Sequence, residues 1–266
     1  MNVRMKKMLF VPCKEKYIGK VREFDADLII FDLEDSIKRT EKENALELLM
    51  DKLTEIKDYQ HYAVRINADN AKQEIRKLYK CGIKWFMLPK CEDSDKVLEL
   101  SDEFENIKFI LLIETPVGLM NLKRLCNIGT VKGIAFGAED YCSCVNMDNK
   151  EELLIPIKEY IICIAKAHRC EVYDTITLEY KNEEVIARAI NNSMSLGFDG
   201  KLYIHPKQLE IAKKLNLDIR YDEWVKIINM YDQGKDGILI YDNRIYEKPH
   251  IDYMRRYLNG TGQQEN

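Results

Sequence analysis

The strongest constraint on the fold is the regular alternation of short apolar runs with amphipathic segments. Each of eight runs rich in Val, Ile, Leu and Phe precedes a stretch whose apolar residues recur every three or four positions. Strands that alternate with helices form parallel sheets through right-handed crossovers. Eight such units in 266 residues favour an α/β fold closed into a (β/α)₈ barrel over an open sheet. The predicted strands are residues 8–11, 27–31, 61–66, 83–88, 108–113, 131–136, 171–173 and 201–204.

The end of the chain follows a different pattern. A helix that carries Trp224 and Ile227 precedes an apolar run at residues 237–241, and a last helix spans residues 249–258. Between the run and the last helix, Asp242 and Asn243 predict a turn. We therefore predict a barrel domain over residues 1–215. Residues 216–266 would form an appendage that packs over the barrel or onto a neighbouring subunit.

The second helix has the most explicit start signal in the sequence. Thr40 and Glu43 have the spacing of a capping box, in which the two side chains satisfy backbone amides at a helix start. Leu46, Leu49 and Leu53 would then lie on one buried stripe.

Composition excludes several classes of protein. The net charge of −4 is unlike that of a nucleic-acid carrier, which is usually basic. No stretch is long and apolar enough for a membrane span, and the N-terminus lacks the pattern of a signal peptide. The eight cysteines have no framework spacing, so we expect reduced thiols. The sequence predicts a cytoplasmic protein with neither nucleic-acid nor membrane partners.

Charged residues concentrate where the predicted strands end. In (β/α)₈ barrels the catalytic groups lie at these carboxyl ends, because all strands point to one face. The sequence therefore predicts the active-site end of the barrel directly. The residues at these positions are Pro12, Asp32, Glu34, Asp35, Arg65, Lys90, Glu114, Asp140, Asp174 and His205.

Glu114 and Asp140 follow adjacent predicted strands. Two carboxylates plus water are a usual way to hold Mg²⁺, which keeps much of its hydration in proteins. Arg65 adds a planar cation suited to a carboxylate or a developing oxyanion, and Gly137 lets the backbone approach a ligand. A single carboxylate after a strand is more often a helix cap or a salt-bridge partner. The combination of Glu114, Asp140 and Arg65 favours a metal-assisted enolate mechanism.

Several other strand-end residues have two interpretations each. Glu34 would orient metal waters or Arg65, and Asp35 would act in catalysis or cap a helix. Lys90 would bind a phosphate or carboxylate, or pair with the acidic loop after strand 2. His205 would line a ligand pocket or serve a structural role. For Asp174 a functional role and a structural role are equally consistent with the sequence.

These strand-end segments resemble the HpcH/HpaI aldolase and citrate lyase β-subunit family. A single short motif of this kind has little specificity, but the whole set in barrel order covers nearly the whole chain. The matching segments are LFVP at 9–12, FDLED at 31–35, VRIN at 64–67, LPK at 88–90, LIET at 112–115, FGAED at 136–140, GFDGK at 197–201 and IHPKQ at 204–208.

The resemblance implies a barrel, usually trimeric, that cleaves or forms 3-hydroxyacyl thioesters of the citryl, malyl or citramalyl type. Glu114 and Asp140 would ligate Mg²⁺, with Mn²⁺ as an alternative. Arg65 would hold the thioester carbonyl or the enolate oxygen that it becomes. Backbone amides of Ala138 and Glu139, with that of Asp140, would hold the carboxylate of a 2-oxo acid.

The resemblance also implies a pocket for the CoA or acyl-carrier part of the thioester. The basic stretch at Lys6 and the loop that follows Pro12 would face this carrier, with His205 nearby. In relatives a glycine usually follows the Leu-Phe-Val-Pro run, whereas Cys13 stands here. A larger residue at this position would tighten or reshape the pocket.

Two further departures concern the C-terminal part and the metal loop. Related lyases carry an aspartate that acts from a neighbouring subunit on the acyl methyl group, and Glu247 stands in its place. The added methylene shifts the carboxylate, and small misplacements are costly in catalysis. Residues 141–144 (YCSC) replace a run of small apolar residues that usually follows the metal aspartate.

Three functions are consistent with the sequence. The first is a Mg²⁺-dependent carbon–carbon lyase that converts a 3-hydroxyacyl thioester to a 2-oxo acid and an acyl thioester. The second is an aldolase of the same fold that acts on a free 2-oxo acid and an aldehyde. The third is a non-catalytic accessory protein that retains the metal site.

Overall fold

The computed structural model describes residues 5–56, 59–215, 219–234 and 236–259. The chain divides into two compact units. One unit spans Lys6–Ala212, and the other combines Lys213–Asn266 with the first five residues. Within the predicted appendage, residues 216–218, 235 and 260–266 lie outside the described residues.

The first unit is a closed barrel of eight parallel strands. Each strand pairs with the next in the sequence, and β8 pairs with β1 to close the barrel. The predicted (β/α)₈ fold is confirmed. The strands are β1 Lys6–Pro12, β2 Leu28–Asp32, β3 Tyr62–Arg65, β4 Trp85–Leu88, β5 Lys108–Ile113, β6 Val131–Phe136, β7 Glu171–Asp174 and β8 Gly200–Tyr203.

Helices surround the barrel and connect its strands. The first nine α-helices are α1 Glu15–Ile18, α2 Lys42–Leu53, α3 Ala71–Lys80, α4 Ser94–Glu103, α5 Pro116–Cys126, α6 Ala138–Val145, α7 Glu151–Ala167, α8 Glu183–Leu196 and α9 Pro206–Leu215.

The predicted stripe of α2 is confirmed, since Leu46, Leu49 and Leu53 are buried. The predicted capping box is wrong. Thr40 lies inside a 3₁₀ turn over Arg39–Glu41, and the helix begins after it without a side-chain cap. Because this turn already redirects the backbone, Thr40 does not occupy the cap position.

The barrel interior is filled by apolar side chains from the strands. Met8, Ile30, Ala63, Met87 and Ile110 belong to one buried cluster inside it. Strands of a parallel barrel are covered on both faces, which explains their nearly continuous apolar sequences. At the carboxyl ends of the strands this apolar pattern gives way to charged residues such as Asp32, Arg65 and Asp174.

The second unit contains α10 Ile219–Gln233, a two-stranded hairpin and α11 Lys248–Asn259. The hairpin strands are β9 Ile238–Tyr241 and β10 Arg244–Glu247. Asp242 and Asn243 both have positive φ, at 49° and 57°, as a two-residue hairpin turn of type I′ requires. The turn predicted at these residues is confirmed. The unit has a small core of its own around Ile227, Tyr246, Ile251 and Met254.

Two composition-based expectations can be compared with the structure. Within the described part of the chain, no helix is both long enough and apolar enough to cross a bilayer. All eight cysteines are free thiols, and five of them are buried. Their scattered spacing in the sequence thus reflects packing positions rather than a disulfide framework.

Candidate active site

Arg65 is fixed at the carboxyl end of the barrel by Asp32. The two residues are register partners at the ends of β3 and β2. Arg65 Nε and Nη2 donate to Asp32 Oδ1 and Oδ2, each at 2.7 Å, in a bidentate pair. Burial alone would raise the pKa of Asp32, but the hydrogen bonds and charge of Arg65 outweigh it and hold the pKa below its usual value. Asp32 is therefore a carboxylate that sets the orientation of the guanidinium.

Two more acids of the loop after β2 face the same guanidinium. Arg65 Nη1 lies 3.1 Å from Asp35 Oδ2 and 3.1 Å from Glu34 Oε2. Burial raises the pKa of Glu34 to about 7, with Arg65 opposing the rise and Asp35 adding to it. Lys90 Nζ lies 3.8 Å from Glu34 Oε1, so Lys90 pairs with the acidic loop after strand 2. Hydrogen bonds to Asp32 and Asp35 use three of the five N–H groups of Arg65, and the contact with Glu34 is an ion pair without a hydrogen bond. One N–H on Nη1 and one on Nη2 therefore remain for a ligand.

Glu114 is a buried carboxylate directly after β5, with only 2 % of its surface exposed. Its Oε1 accepts a hydrogen bond of 2.7 Å from the backbone amide of Lys90. Lys90 reaches this position in a left-handed conformation, with φ at 50°. Burial raises the pKa of Glu114 to about 8, the Lys90 amide opposes the rise, and Asp140 and Glu34 add to it. Crowded, buried acids of this kind gain stability when a cation neutralises them.

Gly137 brings the backbone after β6 against Glu114. A Cβ atom at position 137 would lie 2.7 Å from Glu114 Cβ and 2.8 Å from its Oε2, closer than side chains tolerate. Helix α6 begins at the next residue and carries Asp140 in its first turn. The amide of Ala138 donates to Thr175 Oγ1 at 3.2 Å. The first turn of a helix has amides without intrahelical acceptors, and those of Glu139 and Asp140 are placed to receive an anion.

These residues line one cavity of about 390 Å³ at the carboxyl end of the barrel. Its polar and charged lining residues are Asp32, Asp35, Ser36, Arg65, Glu114, Glu139, Asp140 and Thr175. Its remaining lining residues are Phe10, Pro12, Leu112, Phe136, Gly137, Ala138, Ile176, Leu202 and Ile204.

The charge of this lining fits a divalent cation. Five carboxylates face a single guanidinium among the lining residues. In the described part of the chain, no three His, Cys, Asp or Glu side chains are grouped to chelate an ion alone. Glu114 and Asp140 therefore suit a hard cation that keeps several waters and leaves positions for a substrate, as Mg²⁺ does. Both residues would hold it, and the ion would stabilise the charged form of Glu114, whose pKa is raised by burial first and by Asp140 and Glu34 second.

Three residues predicted to bind the thioester carrier do not line this cavity. Lys6 starts β1, at the opposite end of the barrel, and pairs with Glu171 at the start of β7. Its assignment to the carrier pocket is corrected, because parallel strands carry their first residues away from the site. Cys13 has only 2 % of its surface exposed, so its side chain packs inward. His205 is exposed and stacks on Tyr180, with ring centroids 4.8 Å apart.

Other predicted residues lie beside the cavity or in the other unit. Glu34 and Lys90 line a neighbouring cleft of about 790 Å³, which shares Asp35 with the cavity. Asp174 is buried in a salt-bridge cluster, with Lys158 Nζ 3.1 Å from its Oδ1, so it serves the structure rather than the cavity surface. Glu247 ends β10 in the second unit and is exposed there.

Two contributors to the site had no specific role assigned to them from the sequence. Asp32 was grouped with its acidic neighbours, although its position opposite Arg65 in adjacent strands is a signal for pairing. Thr175 follows Asp174 directly at the end of β7, and its hydroxyl contacts the start of α6. A polar residue one position beyond a strand end is the signal that could have identified it.

The fold and the site together define a class of enzyme: a (β/α)₈ barrel with a buried acidic cavity at the carboxyl ends of its strands. The family model described as HpcH/HpaI aldolase/citrate lyase matches residues 6–206. The chain therefore belongs to the HpcH/HpaI aldolase/citrate lyase family. This result confirms the family and the carbon–carbon lyase class that were predicted from the sequence.

Curated relatives extend over most of the chain. A (3S)-malyl-CoA thioesterase of Cereibacter sphaeroides is 25% identical and covers 94% of this chain and 92% of its own length. The citrate lyase subunit beta of Leuconostoc mesenteroides subsp. cremoris is 30% identical over 80% of this chain and 78% of its own length. The mitochondrial citramalyl-CoA lyase of Homo sapiens is 25% identical over 78% of this chain and 69% of its own length.

Among solved structures, the CitE protein of Mycobacterium tuberculosis in complex with magnesium, acetoacetate and coenzyme A has the same fold. It superposes with a TM-score of 0.82 over 98% of this chain and 99% of that chain. Its sequence identity is 22%, so the likeness establishes the architecture.

Proposed function

We propose that this protein is a Mg²⁺-dependent lyase that cleaves or forms a 3-hydroxyacyl thioester, with a 2-oxo acid and an acyl thioester as the two halves. The observation that carries the proposal is the placement of Glu114. It is a buried carboxylate beside the first turn of α6, across a cavity that also exposes the fixed guanidinium of Arg65. Magnesium complexes of the solved relative, and the relatives named as lyases, support this proposal.

Different residues of the cavity bind the two halves of the substrate. When bound by Glu114 and Asp140, Mg²⁺ would supply a Lewis acid for the carbonyl of the 2-oxo acid. The amides of Glu139 and Asp140 hold the carboxylate of that acid at a helix start. A free N–H of Arg65 holds the carbonyl oxygen of the thioester. Negative charge develops on this oxygen as the carbon–carbon bond between the two halves breaks and the acyl thioester becomes an enolate.

Proton transfers need two further groups. In the cleavage direction a base must take the proton of the substrate hydroxyl. Asp35 is an exposed carboxylate on the cavity wall, hydrogen-bonded to Arg65 at 3.1 Å, and is our candidate. Glu247 is the candidate acid that protonates the carbon of the acyl enolate, acting from a neighbouring subunit in a homo-oligomer such as a trimer.

The charge of the cavity favours a 2-oxo acid with one carboxylate. Even with Mg²⁺ bound, the five carboxylates of the lining would exceed the combined charge of the ion and Arg65. A second carboxylate on the substrate would enter this negative field without a cation to receive it. Apolar side chains such as Leu112, Phe136 and Ile176 also line the cavity and suit a hydrogen or methyl substituent. Glyoxylate and pyruvate therefore fit better than oxaloacetate.

A thioesterase is a second candidate function, because the Cereibacter relative with that name aligns with nearly the whole chain. The same cavity would then hold a 3-hydroxyacyl thioester while water attacks its carbonyl carbon, and Arg65 would stabilise the oxyanion. The aldolase and accessory functions differ from both in needing no thioester. Product analysis separates these cases.

The test is to incubate the protein and Mg²⁺ with malyl-CoA and citramalyl-CoA and to assay 2-oxo acid and free thiol separately. A lyase releases glyoxylate or pyruvate and no thiol, whereas a thioesterase releases free CoA and no 2-oxo acid. Glu114→Ala is the control for the metal site. In a separate incubation with pyruvate and an aldehyde, consumption of both would instead favour the aldolase. Absence of every product in all incubations would favour the accessory protein.

A further inference from the structure

Thr175 has a hydroxyl whose proton is not used within the described residues. The residue follows β7, is 92 % buried with 8 % of its surface exposed, and lines the candidate cavity. Its Oγ1 accepts a hydrogen bond of 3.2 Å from the amide of Ala138. A hydroxyl has one donor and two acceptor sites, so this bond leaves its proton available. Among the described residues no acceptor is bonded to that proton, and Thr175 lines the cavity.

A buried ionic cluster holds the backbone of Thr175 in place. Lys201, from β8, donates from Nζ to the carbonyl oxygen of Thr175 at 2.6 Å and lies 3.3 Å from Asp174 Oδ2. Asp174 also forms an ion pair with Lys158 from α7 and accepts a hydrogen bond from the hydroxyl of Ser193 from α8. Burial would raise the pKa of Asp174, but the charges of Lys201 and Lys158 outweigh it and keep the acid ionised.

The position of Thr175 relative to α6 identifies its ligand. The hydrogen bond that Thr175 accepts comes from the backbone amide of Ala138, the first residue of α6. The amides of Glu139 and Asp140 follow it in the same turn. An anion at that helix start lies beside the Thr175 hydroxyl. A hydrogen bond to an anionic group is stronger than one between neutral groups, so a free hydroxyl proton at this place is an effective donor.

We propose that Thr175 donates a hydrogen bond to the carboxylate of the bound 2-oxo acid, and that Lys201, anchored by Asp174, positions it. The proposal rests on the proposed function, because it deepens the binding mode of the same site. Thr175 is a substrate-binding residue, and Lys201 is a positioning residue that acts through it. The first turn of α6 and Thr175 would then hold the two oxygens of one carboxylate.

The test is calorimetric titration of the Mg²⁺-loaded protein with pyruvate, glyoxylate and oxaloacetate, in wild type and three variants. Thr175→Val keeps the shape and removes the hydroxyl, and we expect its affinity for the bound 2-oxo acid to fall roughly tenfold or more. Thr175→Ser restores the donor and should stay within about threefold of wild type. Thr177→Val, two residues further on and outside the cavity lining, should match wild type.

A parallel titration with Mg²⁺ alone separates binding from structure. We expect Thr175→Val to keep the wild-type affinity for the ion. An equal loss for the ion and the 2-oxo acid would mean that Thr175 only holds α6, and would overturn the proposal. Unchanged 2-oxo acid binding in Thr175→Val would overturn it as well. If wild type binds no 2-oxo acid, the proposed function fails, and this proposal fails with it.

A double-mutant cycle tests the role of Lys201. Lys201→Arg keeps the buried charge but changes the donor that reaches the Thr175 carbonyl. We expect it to weaken 2-oxo acid binding, and to add little when Thr175→Val is already present, because both changes remove the same contact. Losses that add in the double variant would show that Lys201 acts independently of Thr175, and the positioning role would be rejected.

Discussion

Burial and neighbouring acids disfavour the charged forms of Glu114 and Glu34. Their pKa values are raised to about 8 and about 7. A carboxyl group must lose its proton before it ligates a cation, so metal binding at this site is coupled to proton release. The proton released from Glu114 on metal binding is therefore a measurable property of the site.

Mg²⁺ affinity should therefore depend on pH. Because the metal-free pKa of Glu114 is raised, the proton opposes the ion below about pH 8. Affinity should rise by about tenfold for each pH unit up to that value and then level off. Calorimetry from about pH 6 to about pH 9 in buffers of different ionisation enthalpy measures both affinity and proton release. A flat profile, with no proton released, would contradict the assignment of Glu114 as a ligand.

Gly137→Ala tests the contact between the two strand ends. The new methyl group would lie 2.7 Å from Glu114 Cβ, so the carboxylate must move. We expect Mg²⁺ affinity to fall roughly tenfold or more, because small displacements of a ligand are costly. Gly129→Ala is the matched control, since nothing lies within 4 Å of its added Cβ. Equal Mg²⁺ affinities of the two variants would contradict the account.

At single-residue resolution, the sequence predicts which positions converge but not how the side chains pair. Glu114, Asp140 and Arg65 follow strands, so the barrel brings them to one end. The bidentate grip of Asp32 on Arg65 depends on strand register and rotamers, which the sequence does not specify. Lys6 was misplaced because its assignment came from the resemblance alone, whereas a residue at the start of a parallel strand lies at the far end of the barrel from the site.

Among the elements, α6 was the hardest to predict. It is a helix of eight residues after a glycine that provides no side-chain cap, so it lacks the usual start signal. The longer helices and the strands carry strong periodic patterns and were predicted well. The missed helix is also the one that presents Asp140 and its amides to the cavity, which shows that local signals are weakest where the site is built.

Helix α7 is attached to the barrel by a buried charge. Lys158 Nζ lies 2.8 Å from Glu151 Oε1 and 3.1 Å from Asp174 Oδ1, and its side chain is 1% exposed. We expect Lys158→Met to destabilise the protein by about 3–5 kcal/mol, because a buried acid loses a partner. On the same helix, Lys166→Met removes a half-exposed pair with Asp199 and should cost at most about 1 kcal/mol. Urea denaturation measures both, and equal losses would contradict the cluster's role.

For the whole molecule, the second unit carries the residue that we propose as the acid. Glu247 is exposed at the end of β10, and we propose that it acts on a neighbouring subunit, as the resemblance to related lyases implies. Cleavage of a 3-hydroxyacyl thioester needs such an acid, whereas binding of a 2-oxo acid does not. Oligomerisation would then complete the site.

Glu247→Gln tests whether Glu247 is needed for cleavage but not for binding of the 2-oxo acid. We expect cleavage of malyl-CoA or citramalyl-CoA to slow by about 100-fold or more, because general acid catalysis is lost. Mg²⁺-dependent binding of the 2-oxo acid should stay at the wild-type level. Steady-state kinetics and calorimetry on the same preparation separate the two effects. Cleavage at the wild-type rate in this variant would show that Glu247 takes no part in the reaction.

In the proposed function, Glu114 and Asp140 hold a Mg²⁺ ion on which a 2-oxo acid binds. The most direct measurement is calorimetric titration of the purified protein with glyoxylate, pyruvate and oxaloacetate, with and without Mg²⁺, beside Glu114→Ala. We expect binding only with Mg²⁺, tighter for glyoxylate or pyruvate than for oxaloacetate, and abolished in Glu114→Ala. Binding that does not depend on Mg²⁺, binding that survives in Glu114→Ala, or no binding at all would exclude this metal site.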